Sequence, residues 1–119
     1  MKKFRFLDWK VYQDAKDLFA LILKIVKKLP KEYRYELSSQ IIRSALSVIL
    51  NIAEGSGKES DKEINRYINI SLGSLHETLA CLDLLKDNRL ISESDFKYLA
   101  EKITSISKQL GGFKKYLRC

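Results

Sequence analysis

The sequence predicts an all-α fold: one domain over residues 1–119, folded as an antiparallel up-down-up-down four-helix bundle. Three observations carry that prediction. The chain of 119 residues holds one proline and five glycines, too few breakers for a fold of strands and turns. No stretch sustains apolar/polar alternation, and no Asn-Gly or Asp-Gly hairpin turn occurs. Four segments instead repeat apolar side chains at steps of three and four, the helical period.

The first segment runs from Asp8 to Leu29. Trp9, Tyr12, Phe19, Ile22, Val26 and Leu29 form one stripe, with Ala15 filling the gap, and Val11, Leu18, Leu21 and Ile25 form a second beside it. Two stripes fit either a wide buried face or a core face plus a contact with another subunit, and the pattern alone does not choose. Pro30 ends this helix, because the residue before a proline disfavours helical geometry. Residues 30–37 are expected to be a connector with room for one helical turn, and Ser38 to be the N-cap of the second helix.

From Ile41 to Ala53 the second helix, IIRSALSVILNIA, is apolar around most of its circumference, except for a strip of Gln40, Arg43, Ser44, Ser47, Asn51 and Glu54. Such a helix is expected to be central. Gly55 is expected to end it in the left-handed conformation. Ser60-Asp61-Lys62-Glu63 has the form of a capping box and opens the third helix. There Ile64, Ile68, Leu72, Leu75, Leu79 and Leu82 share a face, and the small residues Gly73, Ser74, Ala80 and Cys81 leave room for a close neighbour. Ser92, with Asp95, caps the fourth helix. Its seam of Phe96, Leu99, Ile103, Ile106, Leu110, Phe113 and Leu117 steps strictly by three and four, with a bend expected at Gly111-Gly112. Short connectors make successive helices antiparallel neighbours.

The net charge is +7, from 22 basic and 15 acidic residues. Residues 1–34 carry a net +6 and residues 92–119 a net +3, so the excess sits at the two ends of the sequence. A basic excess favours nucleic acid or another acidic surface as partner. Cys81 and Cys119 stand in unrelated contexts and make neither a disulfide framework nor a metal pattern. The opening MKKFRFLDWK lacks the apolar run of a signal peptide, and no apolar stretch approaches the roughly 20 residues that span a membrane. A cytoplasmic protein is expected.

Two stretches hint at chemistry and fail. In NIAEGSGKES, Gly57-Lys58 resembles the tail of a phosphate loop, but that motif needs glycine where Ile52 stands and a hydroxyl where Glu59 stands. His76-Glu77 would need a second histidine at the position of Ala80 to form a zinc-protease helix. No catalytic residue, metal site or cofactor is predicted. A polar cluster is expected instead between helices two and three. Residues there should pair when their numbers sum to about 115. Arg43 then lies opposite residue 72, about one turn from Glu77, and a buried or half-buried Arg43–Glu77 contact is expected, with Gln40, Ser47 and Asn51 satisfying neighbouring groups and the cluster fixing helix register or subunit packing.

Both termini of such a bundle emerge at one end. Lys2, Lys3, Arg5 and Lys10 are therefore expected near Lys114, Lys115 and Arg118, with Phe4, Phe6, Trp9 and Tyr116 interleaved and packing the bundle end. Lys24, Lys27 and Lys28, with Lys31 and Arg34, form a second basic group at the opposite end. These two groups are the candidate phosphate-binding residues, and in an oligomer either would repeat and multiply a weak affinity.

The stretch LSSQIIRSALSVILNIAEGSGK, with GSLHE further on, resembles the bacterial four-helix bundle proteins encoded within intervening sequences of 23S ribosomal RNA genes, also labelled S23 ribosomal proteins. The likeness rests on Ser39, Gln40 and Arg43, on Asn51-Ile52-Ala53-Glu54-Gly55, and on Gly73, Ser74 and Glu77. Ile42 and Ile49 depart from it, standing where many members carry an arginine and a proline. The resemblance implies a ring-like homopentamer and kinship with the accessory proteins of diversity-generating retroelements, which bind nucleic acid and a reverse transcriptase. The expected function is that of a non-enzymatic, oligomeric protein binding RNA or DNA mainly through phosphates. The alternative is an assembly or adaptor module whose partner is another protein, its positive charge incidental.

Overall fold

The computed structural model describes residues 2–119, with side chains from residue 4 onward. A 3-10 segment, Lys2–Asp8, interrupted at Phe4, leads into four helices: α1 (Lys10–Val26), α2 (Lys31–Ser56), α3 (Asp61–Asp87) and α4 (Glu93–Lys114). Each helix touches its sequence neighbour, and α4 closes the ring by packing on α1. The bundle measures 45 × 24 × 20 Å. Among the described residues no helix is long and apolar enough to cross a membrane.

The core draws on all four helices. Leu18 and Ile22 of α1, Ile41 and Val48 of α2, Leu75 and Leu82 of α3, and Leu99 and Ile106 of α4 are fully buried. On α1 the deepest line is Val11, Ala15, Leu18, Ile22 and Val26, which takes members from both predicted stripes. Trp9, Tyr12, Phe19, Leu21 and Ile25 flank it and pack on the same core. The wide face is therefore filled within one chain.

Several expectations about helix ends and glycines are corrected. Residues 31–37 are helical, and Ser38 lies inside α2 rather than capping it. α1 ends at Val26, short of the expected Leu29, and Pro30 starts α2. Its extended geometry (φ −56°, ψ 144°) leaves its carbonyl free to accept from the amides of Tyr33 and Arg34. A proline at a helix start gives up no intrahelical bond. Gly55 is not left-handed; no described glycine has positive φ, and α2 continues to Ser56. What Gly55 supplies is space. A Cβ placed on it would lie 2.9 Å from the Cβ of Tyr67, closer than carbon atoms pack. Gly73, expected to mark a close approach, is exposed, and a Cβ there would meet nothing within 4 Å. At the far end of the chain α4 runs through Gly111 and Gly112 to Lys114.

The predicted caps form. The Ser60 hydroxyl accepts from the Glu63 amide at 3.1 Å, and the Ser92 hydroxyl accepts from the Asp95 amide at 3.0 Å. Glu63 does not complete the reciprocal half of the box; its carboxylate lies 3.8 Å from Arg66. After α3 the chain turns through Arg89, whose φ of 60° is the left-handed conformation, while the Leu90 amide reaches back to the Leu85 carbonyl at 2.8 Å. That bond satisfies a carbonyl left open by the end of the helix.

Candidate nucleic-acid interface

The charge of the chain separates by layer. Residues 1–29 and 93–119 carry 14 basic and 6 acidic side chains, a net +8; residues 30–92 carry 8 basic and 9 acidic, a net −1. Because α1 and α4 are neighbours, the two basic ends of the sequence form one side of the bundle, and α2 with α3 forms the other.

At the end where the termini meet, aromatic packing brings the strands of chain together. The Trp9 and Phe113 rings lie 5.4 Å apart, and Phe6 meets the edge of Tyr12 at 5.0 Å. Gln13 Nε2 donates to the Leu7 carbonyl at 2.6 Å and ties the N-terminal segment to α1. Tyr116 alone among these aromatics is almost free, at 86% exposure. The cations around them divide. Lys10 Nζ pairs with Asp14 Oδ2 at 2.7 Å, and Gln109 Nε2 reaches the same oxygen at 2.8 Å. The hydrogen bond from Lys10, then that from Gln109, holds the Asp14 carboxyl below its ordinary value. Lys114 Nζ donates to Asn69 Oδ1 at 2.7 Å. Arg5, Lys115 and Arg118 are exposed, although the Arg118 amide is held by Asp61 Oδ2 at 2.9 Å. The side chains of Lys2 and Lys3, named above as candidates, lie outside the described residues.

At the opposite end Lys24, Lys27, Lys28, Lys31 and Arg34 are all exposed. Among the described residues the ion pairs involve Lys10, Lys58, Arg66 and Lys86, and none of these five. Arg34 has a second task. Its Nε and Nη2 donate to the Leu29 carbonyl at 3.2 and 3.0 Å, closing the end of α1. Sequence reasoning missed Tyr33 and Tyr35 here, because residues 30–37 were read as a connector. The signal was present: good helix formers in KEYRYEL directly after a proline.

The polar cluster between α2 and α3 exists but is built only in part from the expected residues. Thr78 Oγ1 lies 2.8 Å from Ser44 Oγ and 2.8 Å from the Ser74 carbonyl. Ser74 Oγ donates to Ser47 Oγ at 2.8 Å, Asn51 Nδ2 donates to the same Ser47 oxygen at 3.1 Å, and Ser71 Oγ donates to the Val48 carbonyl at 3.1 Å. Ser47 and Asn51 belong to this network. Gln40, Arg43 and Glu77 do not: all three are exposed, and no ion pair joins Arg43 to Glu77. The reason is helical rotation. The bonded pairs sum to 119, 121 and 122, not 115, which sets Arg43 and Glu77 level with each other, but the rotation of each helix turns both outward, and Ser44 and Thr78, one position on, take the inward places. The two charged residues are left on the rim. Glu77 still acts at a distance, adding to the burial that pushes the Cys81 thiol up.

His76 is exposed, with Nδ1 2.9 Å from the Leu72 carbonyl. Among the described residues no group of three or more His, Cys, Asp or Glu is placed to hold a metal ion.

The outer side of α2 and α3 carries exposed apolar residues: Leu46 and Leu50 on α2, Ile70 and Leu84 on α3. Tyr33, Leu37, Gln40, Cys81, Leu84 and Asn88 are among the residues lining a groove of about 510 Å³ between the two helices.

Residues 7–112 match the family model described as 23S rRNA-intervening sequence protein. A crystal structure of a protein with unknown function from the S23 ribosomal protein family of Bacteroides thetaiotaomicron is similar, at 26% identity and a TM-score of 0.81. The match covers 88% of this chain and 98% of that one. None of the curated proteins matches.

Proposed function

The chain belongs to the family of 23S rRNA-intervening sequence proteins, and from that premise we propose that it is a non-enzymatic protein that binds RNA or DNA mainly through backbone phosphates. The observation that carries this reading is the segregation of charge, with a net +8 on the segments that form the α1–α4 side and −1 on the rest. A field of one sign on one face attracts a polyanion and orients it. Lysines on rigid helices contact phosphates without reading bases, which supplies affinity and little sequence preference. The family's description makes structured RNA the first ligand to try.

The test is a binding titration at several salt concentrations. If six or more phosphates are engaged, affinity should fall by about three orders of magnitude or more between roughly 50 and 200 mM salt. Absence of binding to stem-loop RNA, single strands and duplex DNA at ~50 mM salt would sink the reading.

A specific observation favours a second, compatible role in assembly. Leu50 and Leu84 are 55% and 61% exposed on the α2–α3 side. On α3, Gly73 weakens the helix by about 1 kcal/mol relative to alanine while touching nothing within its own chain. A second body pressed against that side would account for both. We propose that copies of the chain associate there, in the ring-like pentamer that the family resemblance implies. Light scattering that returned a monomer at tens of micromolar protein would remove this proposal.

A further inference from the structure

Where α1 gives way to α2, Val26, Lys27, Lys31, Arg34, Tyr35 and Ser38 line an open cleft of about 470 Å³. We propose that this cleft is a phosphate site for single-stranded nucleic acid. One backbone phosphate sits among Lys27, Lys31 and Arg34, and a neighbouring base stacks on Tyr35. The proposal rests on the nucleic-acid reading above, extends it from the α1–α4 side to the first turns of α2, and names one place and one form of ligand.

Four features point there. No described carboxylate neutralises the three cations, although Glu32 and Glu36 lie on the same stretch of α2 and neither lines the cleft. Arg34 is already oriented: two of its nitrogens are fixed on the Leu29 carbonyl, which leaves Nη1 for a ligand. A guanidinium held in this way loses little freedom when it accepts a phosphate. Tyr35 is 86% exposed at the rim, a large apolar ring face with no covering from its own chain. Ser38, lining the same cleft, has a buried hydroxyl without a hydrogen-bond partner. Buried hydroxyls are almost always paired, and a rotation of this side chain towards the cleft would let it donate to an anion bound there.

The ligand is a single strand, because stacking on an exposed tyrosine needs an unpaired base. RNA and DNA strands share this chemistry, so the experiment includes both.

The test is fluorescence polarisation at low salt, with labelled oligo-rU and oligo-dT of about 12 nucleotides and a blunt duplex of the same length. Lys27→Glu/Lys31→Glu should weaken binding of the single strands at least about tenfold and lower the salt dependence by about two phosphates. Tyr35→Ala should weaken it about tenfold, whereas Tyr35→Phe keeps the ring and should stay near wild type. Lys115→Glu/Arg118→Glu, at the other end, should have the smaller effect. All five positions are exposed, and circular dichroism checks that the variants fold. Wild-type binding of single strands that survives both the Lys27/Lys31 and the Tyr35→Ala changes overturns the cleft and leaves the wider nucleic-acid reading standing. Tighter binding of the duplex, with Tyr35→Ala silent, overturns the single-strand assignment. A wild-type protein that binds none of the three probes overturns both readings.

Discussion

The α1–α4 side and the α2–α3 side of this bundle are held together by different physics. Besides the shared core, α1 and α4 are joined by an aromatic pair, Trp9 with Phe113, and by a shared carboxylate, Asp14, bonded by Lys10 and Gln109. Between α2 and α3 a ladder of hydroxyls and the Gly55–Tyr67 contact bring two long helices close together. The first side is strongly basic and its surface is charged. The second is near neutral and leaves leucines in water. The difference teaches that the polar residues most conspicuous in the sequence, on α2 and α3, serve packing, while the lysines scattered through the ends of the chain converge on one face. The proposed binding and assembly surfaces are therefore separable by mutation.

The largest expected effect tests that separation directly. Lys24→Glu/Lys108→Glu, on α1 and α4, should lower nucleic-acid affinity about tenfold or more at low salt. Lys62→Glu/Arg66→Glu, the same charge change on α3, should alter it far less. Equal losses in a filter-binding or polarisation titration would erase the contrast between the two sides.

Next is Leu50→Lys/Leu84→Lys. Both side chains are exposed, so the thermal midpoint of the monomer should hardly move. Sedimentation velocity should show a shift to smaller species if the α2–α3 side is where copies meet, and an unchanged distribution would separate assembly from this face.

Gly55→Ala is expected to destabilise by about 1–2 kcal/mol, because the added methyl meets a Tyr67 carbon fixed next to backbone, and only part of that is offset by better helix propensity. Urea unfolding measures it. A neutral or stabilised variant would mean that the two helices have room to part.

The smallest effect concerns the other side. Asp14 has a folded-state carboxyl held below its ordinary value of 3.8, so its contribution to stability is fully present above that value and is lost as pH falls through the lower folded value. Asp14 is half-buried, but its Lys10 partner is 75% exposed to solvent, which keeps the contribution small. Asp14→Asn should lower the melting temperature slightly at pH 7, and the difference should shrink as the pH falls through the lowered folded value, where Asp14 itself becomes neutral. A difference that grew towards acid pH would contradict the assignment.

Much of the fold could be read from the chain. The apolar steps of α3 and α4, the caps at Ser60 and Ser92, and the break at Pro30 are local signals. Each depends on residues within one or two turns, so the sequence determined the number of helices, their order and most of their ends. Local chemistry also ruled out the phosphate loop at Gly57-Lys58. The start of α2 was misread, although it was local, because a proline read as the end of one helix can open the next.

Other features were decided only by tertiary structure. Which of Arg43 or Ser44, and of Glu77 or Thr78, faces inward depends on the rotation of α2 against α3, and one residue of rotation is 100° around a helix. Whether Gly55 serves a turn or a contact depends on Tyr67, twelve positions on and in another helix. The basic residues at the two ends of the chain became one face only because α4 packs on α1. That juxtaposition is a property of the closed bundle, in which burying the apolar stripes of all four helices at once sets who lies beside whom, and the surface charge follows.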